Sequence, residues 1–148
     1  MTRLLGVDLG ERRIGLAVAD EAEPTARALA TVRRRDIERD AATLREVAGE
    51  QRIDRIVVGM PLNTDGSVGP QAVATRAWIT AVSPLLGLPV SERDERYSSQ
   101  RATAALARPR RGRSGGVPSV AAQSARRAAI DREAAKLILE AELAAVRE

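Results

Sequence analysis

An alternation near the start of the chain constrains its fold more than any other feature. Between Leu4 and Asp20 the sequence LLGVDLGERRIGLAVAD places large apolar residues at every second position on both sides of Gly10-Glu11-Arg12-Arg13. A period of two marks a half-buried strand, and a turn between two such runs predicts a hairpin. Leu5, Val7 and Leu9 share one face of the first strand, and Ile14, Leu16 and Val18 alternate likewise in the second. The other face carries Gly6 and Asp8, with Gly15, Ala17 and Ala19 across the hairpin. An ionised carboxylate is costly to bury without a partner, so Asp8 needs a reason. An edge charge facing water, or a pair with Arg12 or Arg13, is one. A ligand for a metal or for a phosphate-bearing substrate is the other, and these residues alone leave both open.

The remaining chain alternates strand and helix. Ala28 to Arg34 predicts a third strand, and Asp36 to Gln51 has helical periodicity through Ile37, Ala41, Leu44 and Val47. Ile53 to Met60 reads as a fourth strand ending in the turn-rich loop Pro61 to Ser67. Gln71 to Leu86 reads as a helix carrying Trp78, ended by Gly87 and Pro89, and Val90 to Arg93 as a short fifth strand. A helix capped by Ser98 or Ser99 is expected to run to about Ala107, followed by a flexible loop from Arg108 to Pro118 and a last helix through Ile130, Leu137 and Ile138. The order β-β-β-α-β-α-β-α-α predicts an α/β fold with a mixed sheet, and 148 residues without a repeat or linker predict one domain over 1–148.

Composition limits the chemistry. With no histidine and no cysteine, imidazole bases, thiolate metal sites and Ser-His or Cys-His nucleophiles are excluded. Any metal must be held by oxygen, which favours Mg2+ or Mn2+. No run is long and apolar enough to span a membrane, and no signal-peptide pattern precedes the first strand. The net charge of +4 is unevenly spread: from Arg96 to Ile130 there is no acid, while Arg96, Arg101, Arg108, Arg110, Arg111, Arg113, Arg126 and Arg127 fall within. Such a segment attracts polyanions, and guanidinium is the better bidentate phosphate ligand; the alternative is a solvated charged surface. Trp78 and Tyr97 are the only aromatic residues, which argues against single strands read by stacking and favours structured RNA or branched DNA.

Further acids join Asp8. Asp94 and Glu95 stand where the fifth strand ends, the place at which open α/β sheets put their ligands, unless they pair with Arg93 and Arg96. Asp131 shares its helix stripe with Ala134, Ala135 and Ile138, although an acid favoured by the helix dipole would also fit if the helix begins near it. Together these acids suggest a metal cluster built only of carboxylates.

Four motifs in order, Gly6-Val7-Asp8-Leu9-Gly10 with Arg13-Ile14-Gly15, Val57-Val58-Gly59-Met60-Pro61-Leu62-Asn63 with Asp65-Gly66-Ser67, Asp94-Glu95-Arg96 with Ser98-Ser99, and Asp131 with Ala134-Ala135 and Ile138-Leu139, closely resemble the YqgF/RuvX family. These are Holliday-junction-resolvase-like proteins also described as pre-16S rRNA nucleases. The resemblance spans nearly the whole chain. It implies a ribonuclease-H-like fold with a mixed five-stranded sheet flanked by helices, a cytoplasmic bacterial location, and cleavage of nucleic-acid phosphodiesters with Mg2+ or Mn2+. By position it makes Asp8, Glu95 and Asp131 the catalytic and metal-binding triad. Met60 and Tyr97 depart from the commoner Leu, and the stretch Arg108 to Gly116 is more basic and glycine-rich than the pattern requires.

Around that triad Arg12, Arg13, Arg96 and the loop arginines Arg108, Arg110, Arg111 and Arg113 are expected to grip phosphates. Asn63 is expected to orient substrate, with Asp65 as a reserve ligand. The last helix must then cross the strand face lined by Gly6, Gly15 and Ala17, with Ala134 and Ala135 allowing close approach. The protein is expected as a monomer or homodimer. Two rivals remain: a non-catalytic nucleic-acid-binding module, which lacks metal-dependent cleavage, and an actin-like nucleotide-binding protein, whose fold duplicates the unit that occurs here once.

Overall fold

The structure, a computed structural model, describes residues 2–23, 25–94 and 119–147. Among the described residues five strands and three helices follow in the order β1 (Arg3–Leu9), β2 (Arg13–Asp20), β3 (Arg27–Arg33), α1 (Ile37–Gln51), β4 (Arg55–Met60), α2 (Pro70–Leu86), β5 (Val90–Asp94) and α3 (Val120–Arg147). The sheet has the order β3-β2-β1-β4-β5. Pairing is antiparallel between β1 and β2 and between β2 and β3, and parallel between β1 and β4 and between β4 and β5, so the sheet is mixed as expected.

The alternation in the hairpin sorts its residues to the two faces. Leu5, Val7, Leu9, Ile14, Leu16 and Val18 are buried with Ala41 and Leu44 of α1 and with Trp78, Ile79 and Val82 of α2. On the other face Leu4, Ala17, Ala19 and Val57 pack against Ala135, Ile138, Leu139 and Leu143 of α3. Each large side chain so buried contributes about 1.5 to 3 kcal/mol. Among the described helices, α3 covers the small-residue face and α1 and α2 cover the large.

Local chemistry sets the element ends. The Asp36 carboxylate accepts from Arg39 N at 2.9 Å and caps α1. At the other end Arg52 takes the left-handed conformation (φ 56°), and Ile53 N donates to Ala48 O at 2.8 Å. That closure holds Ile53 in the turn, so β4 begins at Arg55 and not at Ile53 as the apolar run suggested. Pro70 opens α2 and Gly87 (φ 69°) ends it. The strands β3 and β5 differ from expectation by one residue at their ends. The last helix follows the loop expected to end at Pro118: Ser119 Oγ accepts from Ala122 N at 3.1 Å, and α3 starts at Val120. Asp131 thus lies well inside the helix, and a dipole-favoured first-turn acid no longer explains it. The helix expected over 98–107 and the loop over 108–118 lie outside the described residues.

Ion pairs fasten the far end of α3. Glu142 receives Arg55 of β4 at 3.0 Å and Arg93 of β5 at 3.6 Å, and Arg93 also donates to Ala141 O. Among the described residues no helix is long and apolar enough to cross a membrane.

Candidate active site

Asp8 sits one residue from the end of β1, directly opposite Gly15 on β2. The hairpin closes just beyond, where Gly10 N donates to Arg13 O at 2.8 Å. Gly15 lacks a side chain for a steric reason: a Cβ there would fall inside the backbone carbonyl of Asp131. Gly6, on β1, is bare for the same reason, since a Cβ would meet Leu139 Cγ at 2.5 Å and Ala135 O at 2.9 Å. On β3, Thr31 Oγ1 donates to Ala128 O at 2.6 Å. Three neighbouring strands thus touch the backbone of α3 between Ala128 and Ala135, and the expected crossing over Gly6, Gly15 and Ala17 is present. Asp8 and the backbone of Asp131 thus both adjoin Gly15.

Their environments differ. Asp8 is nearly buried, 9% exposed. Asp131 is half-buried and meets Arg13 Nε through Oδ2 at 3.4 Å, so it reaches toward the hairpin instead of lying wholly in the apolar stripe. Burial pushes its carboxyl above the usual carboxylate range, with Arg13, Arg127 and Arg132 pulling the other way. An open cleft of about 380 Å3 is lined by Gly10, Glu11, Arg12, Arg13, Arg127 and Asp131. Asp8 is not among these lining residues.

At the other end of the parallel strands Asp94 stands beside Met60. Met60 belongs to the core on the α1 and α2 side, so Asp94 occupies the opposite sheet face from Asp8 and does not join it. Arg93 reaches Glu142. Glu95, Arg96, Arg108, Arg110, Arg111 and Arg113 lie outside the described residues. Among the described residues no three acids stand close enough together to hold a metal ion.

Asn63 and Asp65 form hydrogen bonds within their loop. Asn63 Nδ2 donates to Ser67 Oγ at 2.9 Å, and Asp65 Oδ1 accepts from Ser67 N and Oγ. A Cβ on Gly69 would lie 2.8 Å from Asn63 Oδ1 and would displace that amide. Two features escaped the sequence reading. Asp40 is buried and accepts from Trp78 Nε1 at 3.2 Å and Arg35 N at 2.8 Å. Arg33, Arg34 and Arg35 line a second cleft with Glu11 and Arg12; their signal was three consecutive arginines at the end of a strand.

The donor set suits a hard cation. Asp8 and Asp131 offer only carboxylate oxygen, and the bare Gly15 lets α3 approach at a point where a Cβ would push Asp131 away.

Comparison with known proteins agrees with this architecture. Residues 2–145 match the family described as RuvX, Holliday junction resolvase. A protein of Anaeromyxobacter dehalogenans (strain 2CP-C) named "Putative pre-16S rRNA nuclease" is 47% identical over 140 residues, covering 93% of each chain. One of the same name from Symbiobacterium thermophilum is 40% identical over 93% of this chain and 89% of its own length. Among solved structures, T. thermophilus RuvC in complex with a Holliday junction substrate superposes with a TM-score of 0.56 at 19% identity, over 99% of this chain and 96% of that one. The fold is therefore the RuvC-like ribonuclease H fold, and the chain belongs to the RuvX (YqgF) family.

Proposed function

We propose that this chain is a metal-dependent nuclease that hydrolyses phosphodiester bonds in structured nucleic acid, with the 5′ end of pre-16S rRNA and four-way DNA junctions as its candidate substrates. The reading rests above all on Asp8, a carboxylate on a glycine-lined strand face pressed against the backbone of Asp131. Family membership and the names of the relatives support it, as does the fold shared with a junction-bound RuvC. The bacterial cytoplasm, where ribosomal RNA precursors are made, is the proposed place of action.

Asp8, Glu95 and Asp131 would hold Mg2+ or Mn2+, which supplies water activation and charge neutralisation at the leaving oxygen when bound. The protein's own contribution is positioning. Arg13 fixes the Asp131 carboxylate through its Nε contact, and Arg12, Arg13 and Arg127 present guanidinium groups along the cleft for non-bridging phosphate oxygens. Arg96 and Arg108, Arg110, Arg111 and Arg113 extend the cationic surface in this reading.

The test is cleavage of a panel containing structured RNA, single-stranded RNA and a four-way DNA junction, with and without Mg2+ or Mn2+, and with Asp8→Asn alongside. Metal-dependent cleavage that Asp8→Asn abolishes is the expected result. Binding without cleavage of any member would replace the enzyme by a nucleic-acid-binding module.

A further inference from the structure

We infer that the exit of β3 carries a second phosphate-binding surface, continuous with the cleft at Asp131, that guides a double-stranded arm of the substrate over the β3 edge of the sheet. This rests on the reading of the chain as a nuclease of structured nucleic acid, and it adds residues that the motifs carrying the family resemblance do not include.

The first observation is a like-charge pair. Arg13 on β2 and Arg33 on β3 are direct cross-strand partners. Side chains directly opposite share a face, and like charges in that position destabilise a sheet. Arg13 has Asp131 to offset its charge. Among the described residues Arg33 forms no ion pair, and neither does Arg12 or Arg35. A charge on this edge strand discourages pairing with another chain, but it does not require the sign that Arg13 opposes.

The second observation is that the backbone beneath these arginines is fixed. Arg34 N donates to Arg12 O at 2.8 Å, and Arg34 Nη1 donates to Gly10 O at 2.9 Å, tying the exit of β3 to the hairpin tip. Arg35 N donates to the buried Asp40 carboxylate, which Trp78 also holds. Arg34 therefore serves as a brace, while Arg12, Arg33 and Arg35 are exposed. Ordered backbone under exposed guanidinium groups lowers the entropy lost on binding a polyanion.

The third is continuity. The cleft beside Asp131 and the cleft of Arg33, Arg34 and Arg35 share Glu11 and Arg12. Arg127, Arg13, Arg12, Arg33 and Arg35 thus form a track leading from the candidate catalytic acid to the outermost strand. With phosphate as the shared chemistry, RNA and DNA duplexes are both suitable occupants. Among the described residues Glu11 is the one acid lining the outer stretch of this track, and it should oppose binding.

The experiment is a salt titration of binding in EDTA, using a labelled 20-base-pair RNA duplex and the DNA duplex of the same sequence. The protein is the full chain, its Arg33→Gln/Arg35→Gln variant, and Glu11→Gln. The double variant should keep its thermal midpoint, since it relieves the Arg13–Arg33 repulsion. Its log-log salt slope should be shallower by about 1.8, two contacts at about 0.9 each, and Glu11→Gln should tighten binding. A slope change with one duplex only identifies that nucleic acid as the occupant. An unchanged slope with both duplexes, at a retained thermal midpoint, overturns the track. Because binding is read without metal, a changed slope together with no metal-dependent cleavage would overturn the nuclease reading and leave the track standing.

Discussion

At the scale of single residues, the site sets carboxylates against burial. Asp8→Asn keeps the size of the side chain and removes its charge. Cleavage should fall on the order of a thousandfold while the thermal midpoint stays level or rises, because a metal ligand contributes to chemistry and not to folding. Full activity in that variant would rule out Asp8 as a ligand. Asp131 gives a prediction with a definite pH window. Its folded pKa is raised, by burial first of all, so the metal-free native state binds the proton more tightly than the unfolded chain. The stability this provides is fully present below the unfolded pKa, about 3.9, and is lost as pH rises through the folded value. Asp131→Asn does not lose it. In EDTA the variant's thermal midpoint should therefore gain on the parent's as pH rises from about 4, then hold a constant lead above the folded pKa. A lead that shrinks with rising pH would mean that the Arg13 contact outweighs desolvation.

At the scale of elements, the contact of α3 with the hairpin decides whether Asp131 arrives at all. Gly15→Ala places a methyl against the Asp131 carbonyl, and backbone cannot swing aside as a flexible side chain does. The cost should be about 3 kcal/mol or more, read as a fall in the denaturation midpoint, with cleavage falling further than stability explains because Asp131 is displaced. Gly49→Ala is the matched control: nothing lies within 4 Å of its added Cβ, and in α1 it should stabilise by about 0.5 to 1 kcal/mol. The hairpin was legible beforehand because a period of two assigns every residue to a face and Gly6, Gly15 and Ala17 all fall on one. The start of α3 was left open by the sequence. Residues 120–129 are mostly small or polar and lack a periodic apolar stripe, and the Ser119 cap becomes decisive only once the helix behind it is anchored on the sheet. Asp40 was illegible for a related reason. A first-turn helix acid looks like a dipole partner until Trp78, 38 residues away, is seen to donate to it.

At the scale of the whole molecule, charge is distributed so that acids and arginines do different work. Glu142 spends its charge on Arg55 and Arg93, fastening the distal half of α3 to β4 and β5, while the arginines at the hairpin and the β3 exit line open clefts. The acid-free stretch from Arg96 to Ile130 follows β5 in sequence and continues the excess of positive charge. A protein built in this way should bind nucleic acid chiefly by releasing counterions from phosphates, and its affinity should fall steeply with salt. Changing Arg108, Arg110, Arg111 and Arg113 to Gln should weaken binding of RNA and DNA alike and flatten the log-log salt slope by up to about 3.6, since each lost phosphate contact removes about 0.7 to 0.9. If this segment and the β3 exit contact separate phosphates, combining the four changes with Arg33→Gln and Arg35→Gln should lower the slope by the sum of the two effects, as distant sites add. The measurement is the same duplex titration in EDTA, and a slope unmoved by the four loop changes would show that this segment makes no phosphate contact.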